Sequence, residues 1–95
     1  MSAIWKYEIE ATDYQVINMP SGAEILGVQV QYGKPCIWAK VDPECNKEER
    51  EFVLCGTGHT IQSNLHLKFI GTFQLMEGRF VGHIFEKVGE EKLIT

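Results

Sequence analysis

The segment CGTGH, residues 55–59, carries the residue types that most often do chemistry within a short loop. The backbone N–H groups of Thr57, Gly58 and His59, together with the threonine hydroxyl, can form a nest that accepts an anion. Alternatively, the two glycines only supply the positive φ angles of a turn, or His59 acts as a catalyst. A P-loop and a dinucleotide fingerprint are excluded, because both need a longer glycine-rich loop or a helix directly after it.

A second group of candidate residues surrounds a short loop in the middle of the chain. Trp38 and Lys40 lie two residues apart after the loop, and Gln29 and Gln31 lie two residues apart before it. An aromatic ring can stack on a nucleobase while amides bind its edges and a cation binds phosphate. The competing interpretation is that Trp38 packs against another element or another subunit.

Arg50 is a third candidate, because a guanidinium group can bind a phosphate through two parallel hydrogen bonds. It begins the strand that leads to the CGTGH segment. An ordinary solvated arginine is the alternative. His59 could also pair with Cys55 or Cys36, but no third residue nearby in the sequence would orient such a pair.

The elements that must position these residues are strands, since hydrophobic residues recur with a period of two and no strong helical pattern is present. Trp5, Tyr7 and Ile9 alternate with charged residues at the start of the chain, which is typical of a half-buried strand. We expect strands over residues 4–11, 14–18, 24–32, 35–42, 50–55, 66–74 and 79–87.

The central hairpin is predicted to turn at Gly33-Lys34, because glycine at the first loop position suits a type II′ turn. That loop would pair Val30 with Ile37 and Val28 with Ala39 on an aliphatic face. Leu26 and Val41 would complete this face. Trp38, Lys40, Gln29 and Gln31 would then share the opposite face, away from the core.

The last hairpin is predicted to turn around residues 75–78, with Gln74 opposite Arg79. Phe69, Phe73 and Phe80 would lie on one face, and Ile70 and Phe85 on the other. Since one sheet face normally contacts the core and the other contacts water, two apolar faces predict a second layer or a second subunit.

The fold class is therefore all-β, a small antiparallel meander or open barrel of about six or seven strands, single-domain and oligomeric. We expect this domain to cover residues 1–87 and an acidic tail to cover 88–95.

Composition narrows the range of partners. The formal net charge is −4, and the nine basic residues are scattered singly among carboxylates. A long nucleic acid is thus not expected, because its binders present a basic face. The three cysteines lack zinc-finger spacing, which predicts free thiols and no metal or other cofactor. The sequence shows neither a basic-then-apolar leader nor a long apolar run, so we expect neither secretion nor a membrane partner.

Five blocks of the sequence resemble a widespread family of small phage-encoded proteins, and together they span about residues 4–86. The blocks are IWKYEIE, MPSGAEILGVQVQYGKPCIWAKVDP, CGTGH, FIGTFQ and HIFE. Some members of that family are sponges that counter the CBASS defence. The resemblance implies a homo-oligomer in the cytoplasm of the infected host, which binds a cyclic dinucleotide such as 3′,3′-cyclic GMP–AMP without cleaving it.

Under this interpretation the protein is not an enzyme, and it acts by withholding the messenger from the host effector. Trp38, or Trp5 from a neighbouring chain, would stack on a base. Two other functions stay open. One is a protein-interaction module that binds a host or virion protein, and the other is a cyclic nucleotide phosphodiesterase that uses His59.

Overall fold

Seven strands and short connections make up almost all of the computed structural model, which describes residues 1–61 and 65–90. The strands are β1 (Ala3–Glu8), β2 (Tyr14–Pro20), β3 (Glu24–Gln31), β4 (Lys34–Val41), β5 (Lys47–Gly56), β6 (Leu65–Leu75) and β7 (Phe80–Glu90). Within the described residues the one helical element is a single 3₁₀ turn, Met76–Gly78, and no helix there is long and apolar enough to cross a membrane.

The strands form two antiparallel sheets within a single domain. Sheet A has the strand order β1-β4-β3, and sheet B has the order β2-β5-β7-β6. All five pairings are antiparallel, and two of them, β3 with β4 and β6 with β7, are hairpins of consecutive strands. The all-β fold class expected from the alternation is therefore confirmed.

The core lies between the inner faces of the two sheets, where the period-two pattern places the apolar side chains. Sheet A contributes Ile37, Ala39 and Val41, each at most 1% exposed, and Trp5 and Tyr7 pack beside them. Sheet B contributes mainly Met19, Phe52, Leu54, Phe73 and Ile84. The inward faces predicted for β1 and β4 are thus confirmed.

The two sheets meet where their edge strands β3 and β6 approach each other. A Cβ atom on Gly71 would lie 2.6 Å from Cγ1 of Val28, so the absence of a side chain at position 71 allows this approach. β6 also contains a bulge next to this glycine, between Phe69 and Gly71. Bulges bend a strand and increase its twist, which helps the edge of sheet B to reach sheet A.

The predicted turn of the central hairpin is wrong by one residue. Tyr32 and Gly33 form the turn, with φ angles of 52° and 77°, and Gln31 pairs with Lys34. Positive φ at both central positions is the hallmark of a type I′ turn, whose twist matches that of the strands. Tyrosine accepts the left-handed conformation here, which a preference for glycine at the first loop position does not anticipate.

The new turn changes which residues of β3 face the core. Val28 pairs with Ile37 instead of Ala39, and Ile25 pairs with Ala39 because a bulge at Leu26 shifts the register. Leu26, predicted to be in the core, is 49% exposed, whereas Ile25 packs against the core. An extra residue in one strand reverses the faces beyond it.

The register of the last hairpin is also different. Leu75 pairs with Phe80, so the four-residue turn lies at 76–79, one residue later than predicted, and residues 76–78 all take positive φ. The bulge at Ile70 then turns Phe69 to the outer face, opposite Phe85, and leaves Ile70 packed against the core. The prediction that both faces of this hairpin carry apolar residues nevertheless holds.

The expected domain boundary lies too early. β7 continues to Glu90, and Gly89 pairs with His66, so residues 88–90 belong to sheet B. The remainder of the expected acidic tail, residues 91–95, lies outside the described residues.

Candidate functional site

Trp38 lies on the outer face of sheet A, where β4 is the central strand and has a neighbour on each side. Its neighbours across the sheet are Lys6 on β1 and Gly27 on β3. The indole is half-buried, whereas Ile37 and Ala39 on either side in the chain are fully buried on the inner face. The strand alternation thus presents an aromatic surface to the outside of the core.

Gly27 leaves one side of this indole uncovered. No atom outside its chain neighbours lies within 4 Å of the position that a Cβ on Gly27 would occupy. The glycine follows the bulge at Leu26, and glycine within a strand often marks a place where a ligand approaches the backbone. A planar group therefore has room beside Trp38.

Lys6 lies across the sheet from Trp38, on the opposite side from Gly27. Its ammonium group donates a hydrogen bond of 2.7 Å to Oε1 of Gln31, on the far strand of the sheet. This hydrogen bond spans β4, and Cys36 on the same face of β4 is only 1% exposed. Because this partner, Gln31, is a neutral amide, it does not neutralise the positive charge of Lys6.

Lys40 completes the group of side chains around Trp38. It is exposed and lies on the same face, with Ile4 and Glu24 as its neighbours across the sheet. Within residues 1–61 and 65–90 its ammonium group has neither a hydrogen bond nor an ion pair. The face thus carries a cation that is free to bind an anion.

Gln29 lies one cross-strand row away from Trp38 and connects this face to a groove. It is exposed opposite Cys36. The groove runs between β3 and β6 and has a volume of about 310 Å³; its lining residues are Val28, Gln29, Val30, Thr72, Phe73 and Gln74. Gln29 therefore shares this groove with the Thr72 hydroxyl and the Gln74 amide of sheet B.

Arg50 does not join this face. It lies on the inner side of sheet B, where it forms a two-pronged ion pair with Glu86 and donates a 2.9 Å hydrogen bond to the carbonyl of Ala23. The side chains of Arg50 and Glu86 are only 17% and 9% exposed, and the hydrogen bond to Glu86 raises the pKa of Arg50. Three of its five donors are used by Glu86 and Ala23, and Glu48 lies 3.8 Å from Nη1, so the guanidinium group is engaged within the protein.

Trp5 lies on the inner face of sheet A, opposite Ala39, and packs against the core. Trp5 and Trp38 occupy adjacent strands but point to opposite faces. Stacking of Trp5 on a base that lies on the Trp38 face is therefore excluded within one chain.

The CGTGH segment forms a turn at the far end of sheet B. The N–H of His59 donates to the carbonyl of Gly56 at 3.0 Å, and Gly58 has a φ of +87°, as a type II turn requires at its third residue. The N–H of Thr57 donates to Val81. Two of the three amides proposed for an anion nest are thus engaged within the protein.

A chain of two hydrogen bonds links this turn to the sheet through His83. The Thr57 hydroxyl lies 2.8 Å from Nε2 of His83, and the Thr72 hydroxyl lies 2.9 Å from Nδ1. An imidazole beside a hydroxyl is the start of a nucleophile–base arrangement. The third member, however, is a neutral hydroxyl, so no carboxylate stabilises an imidazolium as in a catalytic triad.

Lys6, Gly27 and His83 are the residues that sequence reasoning did not select. Alternation placed Lys6 on the wet face of β1, but the partner strand of β1 was unknown. The signal for Gly27 was its position inside a strand pattern, which often indicates a bulge or a close approach.

The cysteines are all free, and Cys36 and Cys55 are buried. Burial raises the pKa of the Cys45 thiol, as does nearby Asp42, which disfavours the reactive thiolate. No group of three or more His, Cys, Asp or Glu side chains in the described part of the chain could hold a metal ion.

Comparisons with known proteins identify a family without assigning an activity. No curated protein and no solved structure matches the chain. A family model described as a domain of unknown function, DUF7352, matches residues 1–94, nearly the whole chain, and the protein therefore belongs to that family.

Proposed function

We propose that this protein binds a cyclic dinucleotide on the outer face of sheet A and holds it without cleaving it. The observation that carries the proposal is the half-buried indole of Trp38, with the bare Gly27 on one side and the unpaired Lys40 on the same face. A base stacks on the indole, and the phosphates lie near the lysines.

The two lysines near Trp38 on the outer face of sheet A match in number the two negative charges of a cyclic dinucleotide. Lys6 is held in place by Gln31, and Lys40 is unpaired among the described residues. At an exposed surface one such contact at 4 Å contributes about 1 kcal/mol in water, whereas stacking contributes about 1–3 kcal/mol per base. The indole is thus expected to supply more of the affinity than either lysine.

The biological role follows from the resemblance of the sequence blocks to phage proteins that counter CBASS. A protein in the host cytoplasm that captures 3′,3′-cyclic GMP–AMP lowers the concentration available to the host effector. Capture needs affinity and copy number, not turnover. In the Thr57–His83–Thr72 chain the third member is a neutral hydroxyl, so His83 is not arranged as the base of a triad.

Isothermal titration calorimetry with 3′,3′-cyclic GMP–AMP, cyclic di-GMP and the corresponding linear dinucleotides tests the proposal. We expect the cyclic forms to bind and to be recovered intact after the complex is heated. Binding should also raise the melting temperature by mass action. Recovery of a linear product would instead favour the phosphodiesterase.

Substitutions assign the binding to this face. Trp38→Ala should weaken binding about 5- to 150-fold, the equivalent of the stacking energy. Lys40→Gln should weaken it several-fold, whereas Lys47→Gln, which removes the same charge at the exposed start of β5, should leave it unchanged. In a Trp5→Phe background, quenching of the remaining indole would report stacking on Trp38 directly. No binding of any cyclic dinucleotide at about 1 mM would reject the proposal.

A further inference from the structure

The outer face of sheet B carries a row of apolar side chains that crosses all four strands. Tyr14 pairs with Val53, Val53 with Phe85, and Phe85 with Phe69. Tyr14 and Phe69, at the two ends, are 50% and 57% exposed, and the rings of Phe69 and Phe85 are 5.4 Å apart. At the usual spacing between strands the row is about 14–15 Å long.

The next row along the strands has charges in the middle and apolar residues at the ends. Val16 pairs with Glu51, Glu51 with Lys87, and Lys87 with Leu67. Lys87 and Glu51 form an ion pair of 3.7 Å within the chain, and the Tyr14 hydroxyl also donates to Glu51. Val16 is 43% exposed.

These two rows are self-complementary about one particular axis. A two-fold axis parallel to the strands, between β5 and β7, places β5 over β7 of a second copy and β2 over β6. In the first row Val53 then faces a second Phe85, and Tyr14 a second Phe69. In the second row Glu51 faces a second Lys87. Reversal of the row exchanges the acid and the base, so opposite charges meet across the axis.

We propose that this face, the Tyr14–Phe69 row together with the Val16–Leu67 row, is the interface of a symmetric homodimer. A second copy is the occupant because the charge order is complementary to itself, and an isologous interface requires that property. Two sheets packed face to face keep their strands within about 30°, so the Glu51 and Lys87 positions beside the axis stay in register. The aromatic residues supply the affinity, and the charges fix the orientation.

The dimer is independent of nucleotide binding. Trp38 and Lys40 lie on the outer face of sheet A, whereas this interface covers the outer face of sheet B. The nucleotide face therefore stays open in the dimer. A failure of one proposal leaves the other standing, since the oligomeric state is measured without ligand.

The decisive experiment uses two complementary charge variants. The Lys87→Glu chain has two carboxylates in the middle of the second row, and the Glu51→Lys chain has two ammonium groups there. Each should dimerise more weakly than the unmodified chain, because like charges face each other. An equimolar mixture should form heterodimers, because each carboxylate then faces an ammonium group. Each substitution also removes intramolecular contacts, but those losses persist in the mixture, so only an intermolecular contact can produce this rescue.

Sedimentation velocity up to about 1 mM protein, with native mass spectrometry of isotopically distinct chains, measures these states. Phe69→Ser should raise the dimer dissociation constant about tenfold or more. The control Ile4→Ser, a residue 64% exposed on the outer face of sheet A, should not. An unmodified chain that stays monomeric over this range, or a mixture no more associated than its separate components, would overturn the proposal.

Discussion

Sheet A and sheet B each carry a basic side chain within a strand, but one points outward and the other points into the space between the sheets. Arg50 of sheet B faces inward, where Glu86 and the carbonyl of Ala23 bind its guanidinium group between the sheets. Lys40 of sheet A faces outward and has no partner among the described residues. The sequence shows a basic residue within a strand in both places. Whether the charge stabilises the fold or is available to a ligand depends on which face the side chain occupies.

The largest effect that separates the two cations is expected in stability. Arg50→Met should lower the free energy of unfolding by about 3–5 kcal/mol, because it leaves the carboxylate of Glu86 buried without its partner. Lys40→Met, which removes the same charge from the outer face, should change it by no more than about 0.5 kcal/mol. Urea unfolding followed by circular dichroism measures both values.

A double variant separates the cost of an orphaned charge from that of lost packing. Arg50→Met combined with Glu86→Leu should be more stable than Arg50→Met alone, since no unpaired charge remains. Equal losses for Arg50→Met and Lys40→Met would mean that the two cations do not differ as described.

The two tryptophans also differ in the face that they occupy, and we expect an effect of intermediate size on stability. Trp5→Ala should lower the free energy of unfolding by about 2–4 kcal/mol, because the Trp5 ring packs against the core and its removal leaves a cavity. Trp38→Ala should cost about 1 kcal/mol, because its indole covers only the outer surface. Chemical denaturation of both variants, each beside the unmodified chain, measures the difference. Ligand affinity should follow the reverse order, and a Trp38 variant less stable than the Trp5 variant would place Trp38 in the core.

The smallest effect concerns the turn that sets the register of the Trp38 face. Tyr32 is 94% exposed and has a φ of 52°, which is unfavourable for most residues other than glycine, asparagine and aspartate. Tyr32→Asn should therefore stabilise the protein by about 0.5–1 kcal/mol. The β-branched control Tyr32→Val should destabilise it, and thermal unfolding can measure both changes. If the asparagine variant were the less stable of the two, the turn would not be of type I′.

The sequence sufficed for the fold class and for many of the faces. Alternation in β1 and β4 assigned Trp5 and Ile37 to the core, because a half-buried strand needs a period of two. The face of Trp38 followed from the same alternation. These are local properties, since each depends only on neighbours along one strand.

The register of strand pairing could not be predicted from alternation, because it depends on the backbone conformation at a few positions. Tyr32 adopts a left-handed conformation that its side chain does not favour, and this moves the central pairing by two residues. Bulges at Leu26 and Ile70 then exchange the faces beyond them. No feature of composition distinguishes Leu26, which is exposed, from Ile25, which packs against the core.

By itself the sequence determined that the chain forms a small β domain. It also determined that Trp38 and Lys40 lie on the same face of β4, the face that points away from the core. Tertiary structure alone decided that Lys6 pairs across the sheet with Trp38 and that Arg50 forms an ion pair with Glu86. It also decided that the amides of Thr57 and His59 in the CGTGH segment bond within the protein. The physical reason is that alternation is fixed within a strand, whereas the neighbours of a side chain are fixed by pairing between strands that are distant in the sequence.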